Sequence, residues 1–352
     1  MKYILPADQL AAAREVHPSQ RQHHIQPVNA PLYVVTSYSN IFRFYSRQKL
    51  YQRFEKMCED AGAILYTVEL ALRDRHFEIT SPFNPRHIQL RSPAELWHKE
   101  NLINVGVSRL PADWEYVAWI DADVEFARPD WAVETIHQLQ HYKLIQMFSH
   151  AMDLIPDPQS PGHAYAPASY QFRSFMYSYL TNGTHAWFPS LNTPAKAFQG
   201  ASGAGAYWHP GFAWAARRSA LSDLGGLGDR AVLGAADYYM AAALVGAVDR
   251  VMLRSYTADY RAYWENWQRR AQRSLTVSDI GYMPGFLMHH YHGPKAKRRY
   301  ETREQILADE KYEPSRDLKY DPQGVLDFEG NKPRLEVKIR EYFRARDEDA
   351  VS

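Results

Sequence analysis

Short apolar runs alternate with stretches of helical periodicity through the first half of the chain. The run 32–37 is followed by apolar positions at three- and four-residue spacings over 42–61, and then by a second apolar run at 63–71. Continuous apolar runs of this length are typical of strands buried on both faces, and the spacing between them is typical of a helix. The pattern therefore predicts a strand–helix–strand unit with parallel strands and a right-handed crossover.

Two aspartates follow the next apolar run. Residues 116–120 are β-branched and aromatic, and they are followed by Asp121 and Asp123. Ligands of open α/β sheets bind at the carboxyl ends of the strands, so we expect both carboxylates at that edge. A hard divalent cation that also holds phosphate oxygens would relieve the repulsion between them. The alternative is that Asp123 caps the following turn and Asp121 ends the strand in solvent.

The rest of the pattern predicts more helices and strands around a long irregular region. Residues 150–206 are rich in Pro, Gly, Ser and aromatic residues, and we predict a functional loop region with short helices there. A proline-broken loop is predicted after the second strand. Further helices are predicted at 94–109, 129–142, 238–246 and 260–275, and further strands at 143–148 and 207–216.

Composition limits the classes of function. The 352 residues allow one large or two modest domains. With 41 Lys and Arg against 40 Asp and Glu, the net charge of +1 gives no global field for nucleic acid or an anionic membrane, although basic patches occur at 261–273 and 295–299. The single cysteine, Cys58, excludes a disulfide framework and a cysteine zinc site. The chain has neither a membrane-spanning apolar stretch nor a secretion signal, so we expect a cytoplasmic protein.

Taken in order, the motifs resemble those of GT-A glycosyltransferases, of a family 2-like type found in uncharacterised phage and bacterial proteins. The acidic pair matches the metal-binding motif of that family, and three later motifs resemble its acceptor half: the small-residue strand 211–216, the Gly-Gly turn 224–227 and the helix start 234–237. The family usually has Glu-Asp in the last motif, where this chain has Ala236 and Asp237.

The resemblance implies an α/β fold with a mostly parallel, Rossmann-like central sheet flanked by helices, a long insertion and a helical C-terminal tail. The expected division is a lead-in at 1–30, a catalytic domain at 31–300 and an extension at 301–352. Within the catalytic domain, the nucleotide-sugar half, the insertion and the acceptor half are expected at 31–149, 150–206 and 207–300.

The resemblance also implies transfer of a sugar from a nucleotide-diphosphate sugar, such as a UDP-sugar, to an acceptor hydroxyl. Mn²⁺ or Mg²⁺ would be held by Asp123, Asp121 and His292, with His290 as an alternative to His292. Asp121 would contact the ribose of the donor or a metal-bound water, whereas Asp123 would touch the metal directly. Asp237 would deprotonate the acceptor with inversion, or bind it in a retaining reaction. Other residues expected at the donor are Thr36, Tyr38, Arg73, Lys99, Asn104, Lys295 and Arg298, and residues expected to stack on the acceptor are Trp208, His209 and Trp214.

Several of these assignments have a structural alternative. Arg73 and the basic cluster 295–299 could be solvated surface, and Asn104 could cap local backbone. The histidines and Trp214 could instead pack in an aromatic core.

Two other classes of function use similar residues. A Mg²⁺-dependent nucleotidyltransferase should carry a glycine-rich phosphate loop after its first strand, and residues 38–42 contain no glycine. A non-catalytic module that binds carbohydrate or nucleic acid would use the aromatic residues alone. The acceptor stays open between a glycan, a lipid-linked sugar, a protein and hydroxymethylated pyrimidine in phage DNA.

Overall fold

A seven-stranded sheet forms the centre of the protein. The computed structural model describes residues 30–156, 165–182, 208–293, 295–300, 302–346 and 348–349. From one edge to the other, the strands are β11 (Ile280–Tyr282), β6 (Leu144–Gln146), β10 (Ala213–Arg217), β4 (Tyr116–Ile120), β1 (Leu32–Ser39), β2 (Ile64–Leu72) and β3 (His87–Ser92). β10 is antiparallel to both of its neighbours, and the other paired strands are parallel. The α/β class and the mostly parallel central sheet are therefore confirmed.

Helices cover both faces of this sheet. The described helices are α1 (Tyr45–Asp60), α2 (Lys99–Ser108), α3 (Trp131–His141), α4 (Phe175–Asn182), α5 (Arg218–Leu224), α6 (Ala236–Leu244), α7 (Val248–Val251), α8 (Ala258–Ser274), α9 (Gln305–Asp309), α10 (Pro314–Asp317) and α11 (Pro333–Arg344). Among the described residues, we find no helix with the length and apolar character needed to cross a bilayer.

The predicted strand–helix–strand unit is confirmed. β1 and β2 are parallel, with Thr36 opposite Thr67, and α1 joins them. The buried residues of α1 recur every three or four positions, as the sequence pattern predicted: Leu50, Tyr51, Phe54 and Cys58. Gly62 follows α1 with a φ of 70°, a left-handed conformation that glycine adopts without steric cost.

Side chains alternate between two hydrophobic cores on opposite faces of the sheet. Val35 and Trp119 face the core that includes residues of α2, α6 and α8, whereas Val34 and Ala118 face the core with residues of α1 and α3. Because β1 and β4 are buried on both faces, their sequences are continuously apolar rather than alternating.

A second sheet lies beside the carboxyl end of β4. Its strands are β5 (Val124–Phe126), β12 (Phe286–His289), β7 (His150–Pro156), β8 (Tyr165–Ser174) and β9 (Trp208–His209), in that order. β12 is antiparallel to β5 and parallel to β7. A two-stranded sheet, β13 (Leu318–Tyr320) with β14 (Leu326–Phe328), completes the strands that the structure describes.

Two loop predictions were wrong. Pro85 and Pro93 flank β3 instead of interrupting it, so the strand keeps its parallel pairing with β2. In the predicted loop region 150–206, β7 and β8 form an antiparallel pair, because β12 supplies a sheet partner that local sequence does not reveal. The short helix α4 agrees with the short helices predicted there. Residues 157–164 and 183–207 of that region, and the lead-in 1–29, lie outside the described residues.

The end of the chain returns to the start of α1. Phe44, at the N-cap position of α1, provides no side-chain cap. Asp349 accepts hydrogen bonds from the backbone N–H groups of Tyr45 and Ser46 at 2.7 and 3.0 Å. A carboxylate at this position satisfies free N–H groups and interacts favourably with the helix dipole. The C-terminal segment is therefore held close to the carboxyl end of β1.

Candidate active site

Asp123, His289 and His292 form one cluster where the two sheets meet. Nε2 of His292 lies 2.9 Å from Oδ2 of Asp123, and Nε2 of His289 lies 3.7 Å from the same oxygen. The two Nε2 atoms are 3.0 Å apart, and the three candidate ligand atoms all lie within 4.8 Å of one another. One carboxylate and two imidazoles at this separation can bind a single metal ion.

Sheet pairing brings His289 to this place. The register of β12 puts His289 opposite Val124, directly after Asp123, on one side and opposite Asp153 on the other. Nδ1 of His289 donates a hydrogen bond to Oδ1 of Asp153 at 2.7 Å. This bond fixes the orientation of the imidazole and leaves Nε2 facing the cluster, as carboxylates do for metal-binding histidines.

Burial and neighbouring charges set the protonation of the three groups. Burial alone would raise the pKa of Asp123, but His292 and His289 hold it well below its usual range. Burial and then the Arg298 guanidinium lower the pKa of His292, which keeps its imidazole neutral and able to donate a lone pair. Burial opposes protonation of His289, but Asp123 and Asp153 outweigh it and raise its pKa to about 9. Metal binding would therefore displace a proton from His289.

The cluster fits a divalent ion. Oδ1 of Asp123 is buried and has no hydrogen-bond partner among the described residues. An unsatisfied buried carboxylate oxygen is costly, and a bound cation would remove that cost. Two nitrogen donors beside one carboxylate favour a first-row transition ion over Mg²⁺, which prefers oxygen ligands.

Asp121 lies outside this cluster and forms an ion pair with Lys99. Burial raises the pKa of Asp121 to about 6, against the lowering effect of Lys99. Burial alone would lower the pKa of Lys99, but Asp121, Glu100 and Asp237 raise it above its usual value. Lys99 is therefore a cation between two carboxylates, Asp121 on the β4 side and Asp237 on α6.

A cleft of about 160 Å³ opens at the acidic edge of the central sheet. The hydroxyl of Thr36 donates to the carbonyl oxygen of Ile120 at 2.9 Å, and the hydroxyl of Tyr38 donates to Glu78 at 2.8 Å. The structure therefore holds both side chains in fixed positions along the cleft. Of the residues predicted for the donor or metal, those that line the cleft are Thr36, Tyr38, Lys99, Asp121, Asp123 and His292.

Other residues that line the cleft were not predicted from the sequence. Arg47 on α1 and Phe343, Arg346 and Glu348 near the C-terminus line the same cleft. Nε and Nη2 of Arg47 donate to the two carboxylate oxygens of Glu348 at 2.6 and 2.8 Å. These residues are 301 positions apart in sequence, and no local pattern indicates that they meet.

Asp237 lies in an adjoining cavity of about 30 Å³, which shares Lys99 with the cleft. The cavity is bordered mainly by apolar side chains, including Trp214. A Cβ atom placed on Gly211 would lie 2.2 Å from Oδ2 of Asp237, so the absence of a side chain at Gly211 makes room for this carboxylate.

Phe212 packs on the histidines beside this cavity. Its ring stacks on His209 with centroids 3.7 Å apart and lies 4.6 Å from the ring of His289. Phe212 has a φ of 73°, a conformation that is rare and strained for a bulky residue and is enriched at functional sites.

The two tryptophans predicted to stack on an acceptor are buried. Trp208 stacks on Tyr238 with ring centroids 5.7 Å apart. Nε1 of Trp214 donates to the carbonyl oxygen of Pro210 at 2.7 Å, and its ring borders the smaller cavity.

Other predicted residues lie away from the cleft. The side-chain amide of Asn104 donates to the carbonyl oxygen of Leu227 at 3.0 Å and accepts from its N–H at 2.8 Å, so it binds backbone that is distant in sequence instead of the local backbone of the alternative. Arg73 is exposed after β2, two strands from β4, and does not border the cleft. His290 contacts Glu125 at 3.3 Å instead of joining the metal cluster.

Arg298 and Lys295 both belong to the predicted basic cluster, and the contacts of the Arg298 side chain are described. Nη2 of Arg298 lies 2.8 Å from Nε2 of His292, and Nη1 donates to the hydroxyl of Tyr300 at 2.9 Å. Lys295 begins a short 3₁₀ turn, Lys295–Arg298, but its side chain lies outside the described residues.

At the metal cluster, His289 and Asp153 were not predicted from the sequence. β12 ends at His289, so residues 290 and 292 do not lie on one face of a strand. The available signal was the histidine-rich stretch 289–292 directly after an apolar run. Asp153 could not be identified in this way because only the β7–β12 pairing brings it to His289.

Comparisons of the sequence with known proteins identify no family. No protein-family model matches the chain, and a search of curated proteins finds no match. Among solved structures, the catalytic domain of Drosophila beta1,4galactosyltransferase 7 in complex with xylobiose is 11% identical, with a TM-score of 0.36 over 87% of this chain and 98% of that one. A mutant of that protein in complex with manganese, UDP-Gal and xylobiose is 10% identical, with the same TM-score and coverage. Similarity at this level establishes no shared activity.

Proposed function

We propose that this protein is a metal-dependent glycosyltransferase of the GT-A type. It would move a sugar from a nucleotide-diphosphate sugar, with a UDP-sugar as the favoured donor, to an acceptor hydroxyl. The observation that carries this proposal is the Asp123–His289–His292 cluster beside a cleft at the carboxyl edge of the sheet. Asp237 borders the adjoining cavity, and Lys99 borders both the cleft and that cavity.

Asp123, His289 and His292 would hold the metal ion, which we expect to be Mn²⁺. A divalent ion there stabilises the negative charge that grows on a diphosphate leaving group. Asp153 keeps the His289 imidazole in the orientation needed for binding, since it accepts the Nδ1–H hydrogen bond.

The donor would lie along the cleft on the β1 side. Thr36 and Tyr38 are at the end of β1, and Lys99 holds Asp121 in place through their ion pair. We propose that Asp121 accepts hydrogen bonds from ribose hydroxyls instead of binding the metal, because it lies outside the three-residue cluster. Arg298 would bind phosphate oxygens from the side of His292.

Asp237 is our proposed base. As the acceptor oxygen bonds to the anomeric carbon, its proton passes to Asp237, and the bond from that carbon to the phosphate oxygen breaks with its electron pair on the nucleoside diphosphate. Attack from the side opposite the leaving group inverts the configuration. The smaller cavity beside Asp237 is bordered mainly by apolar side chains, and a bound acceptor there would leave little room for water, which would limit hydrolysis of the donor.

A DNA acceptor is less well supported than a glycan or protein acceptor. The basic helix at 261–273 and the cluster at 295–299 were the candidates for phosphate contacts. Of the four arginines of α8, Arg269 and Arg273 are exposed, whereas Arg261 donates to the carbonyl oxygen of Leu253 and Arg270 donates to that of Leu224. Both guanidinium groups are therefore engaged within the protein.

The test is sugar release and transfer from a panel of nucleotide sugars, with and without Mn²⁺. We expect metal-dependent turnover of a UDP-sugar, abolished in Asp123→Ala and retained in Asp60→Ala, a matched carboxylate change on the exposed face of α1. Full activity of Asp123→Ala, or turnover that does not depend on a metal, would refute the proposal. Preference for a nucleoside triphosphate over a UDP-sugar would instead indicate a nucleotidyltransferase.

A further inference from the structure

Two arginines contact the buried carboxylate of Glu348 beside the metal cluster. Arg47 contacts both carboxylate oxygens, and Nη2 of Arg346 contacts Oε1 at 2.9 Å. Arg298 is close by, since its Nη2 lies 2.8 Å from Nε2 of His292, and Nδ1 of His292 lies 3.9 Å from Oε2 of Glu348. Glu348 is only 3% exposed, and Arg298 and Arg346 are 8% and 7% exposed. The glutamate is thus held inside the protein at the centre of a cationic site.

Positive charge exceeds negative charge in this group. Among the described side chains, two guanidinium groups contact this one carboxylate, and Nε of Arg346 is buried without a hydrogen-bond partner. Burial, together with Arg47 and Arg298, lowers the pKa of Arg346. Uncompensated buried charge is costly, so this site favours an anion that carries more charge and more acceptor oxygens than one carboxylate.

This cationic site adjoins the candidate metal ligands. Oε2 of Glu348 lies 3.9 Å from Nδ1 of His292, and Glu348, Arg47 and Arg346 border the same cleft as Asp123. A diphosphate bound to a metal at Asp123 and His292 therefore has these arginines as its neighbours. Carboxylate and phosphate oxygens accept the same paired N–H groups from arginine.

We propose that Glu348 occupies the place of a donor phosphate group in the unliganded protein and is displaced when the diphosphate binds. Arg47, Arg298 and Arg346 then bind the diphosphate in place of the glutamate. The C-terminal segment thus competes with the donor for its own site. This inference rests on the proposed function, since it requires a nucleoside diphosphate in the cleft.

The test measures binding of Mn²⁺–UDP and of Mn²⁺–pyrophosphate by isothermal titration calorimetry. We expect Glu348→Gln to bind both about tenfold more tightly, a factor that corresponds to about 1.4 kcal/mol, because the competing charge is removed. We expect Arg346→Met to bind both about tenfold more weakly, because a phosphate contact is lost. Arg344→Met is the matched control, since Arg344 pairs with Glu95 outside the cleft, and it should bind as the wild type does. Affinity for Mn²⁺ alone should be the same in all four proteins.

The outcomes separate the two proposals. Absence of Mn²⁺–UDP and Mn²⁺–pyrophosphate binding in the wild type refutes the proposed function itself. Wild-type binding that Glu348→Gln leaves unchanged or weakens overturns only the displacement of Glu348, because a glutamate that merely anchors the C-terminus would give that result. If Glu348→Gln fails to fold, as judged by circular dichroism, the second variant decides: unchanged binding by Arg346→Met overturns the inference.

Discussion

Asp153 is predicted to control metal affinity without touching the metal. Its buried carboxylate accepts the Nδ1–H of His289 at 2.7 Å, and that bond both orients the imidazole and increases its basicity. Loss of such a partner typically lowers metal affinity by about 10- to 100-fold. Asp153→Asn keeps an acceptor oxygen in place but removes the charge, so we expect a loss of about tenfold. Asp153→Ala also frees the ring to rotate, so we expect about 100-fold.

The assay is a calorimetric titration of each variant with Mn²⁺, with thermal unfolding measured in parallel. Glu125→Gln is the matched control, because Glu125 makes the corresponding contact with His290, which lies outside the metal cluster. It should bind Mn²⁺ as the wild type does. Wild-type affinity in a folded Asp153→Ala protein would show that His289 is not a ligand, and the cluster assignment would fail with it.

Two further predictions concern catalysis and stability. Gly211→Ala places a Cβ 2.2 Å from Oδ2 of Asp237 and must displace that carboxylate, so we expect kcat to fall about 100-fold while UDP binding is unchanged; an unaltered kcat would contradict the role of Asp237. His98 is buried, its Nε2–H donates to the carbonyl oxygen of Leu326 at 2.9 Å, and burial lowers its pKa to about 4. The His98 side chain binds a proton near pH 6.5 in the unfolded state but only near pH 4 in the folded state. As the pH falls from 7 to 5, this difference therefore lowers the free energy of unfolding by about 2 kcal/mol. Urea denaturation of His98→Gln should show a smaller loss over that interval, and an unchanged pH dependence would contradict the reasoning.

The sequence by itself determined the inner strands of the central sheet, but not its edge strands β3 and β11, and it identified part of the site. Continuous apolar runs and helical spacing are local properties, so they located β1, α1, β2 and β4 and showed that the strands are buried on both faces. The acidic pair and Asp237 were found because each directly follows or opens one of these elements. Parallel strands place their carboxyl ends at one edge, which explains why Thr36, Tyr38, Asp121 and Asp123 share a cleft.

The tertiary structure alone decided the rest of the site. His289 meets Asp153 because of the register between β12 and β7, and Arg47 meets Glu348 because the C-terminal segment packs against α1. Such contacts join residues more than 100 positions apart, and their formation depends on packing of the whole domain, not on any local spacing of side chains. Local sequence therefore identified one carboxylate and one histidine of the proposed metal site, whereas the fold supplied the second histidine, its orienting carboxylate and the arginines that line the cleft.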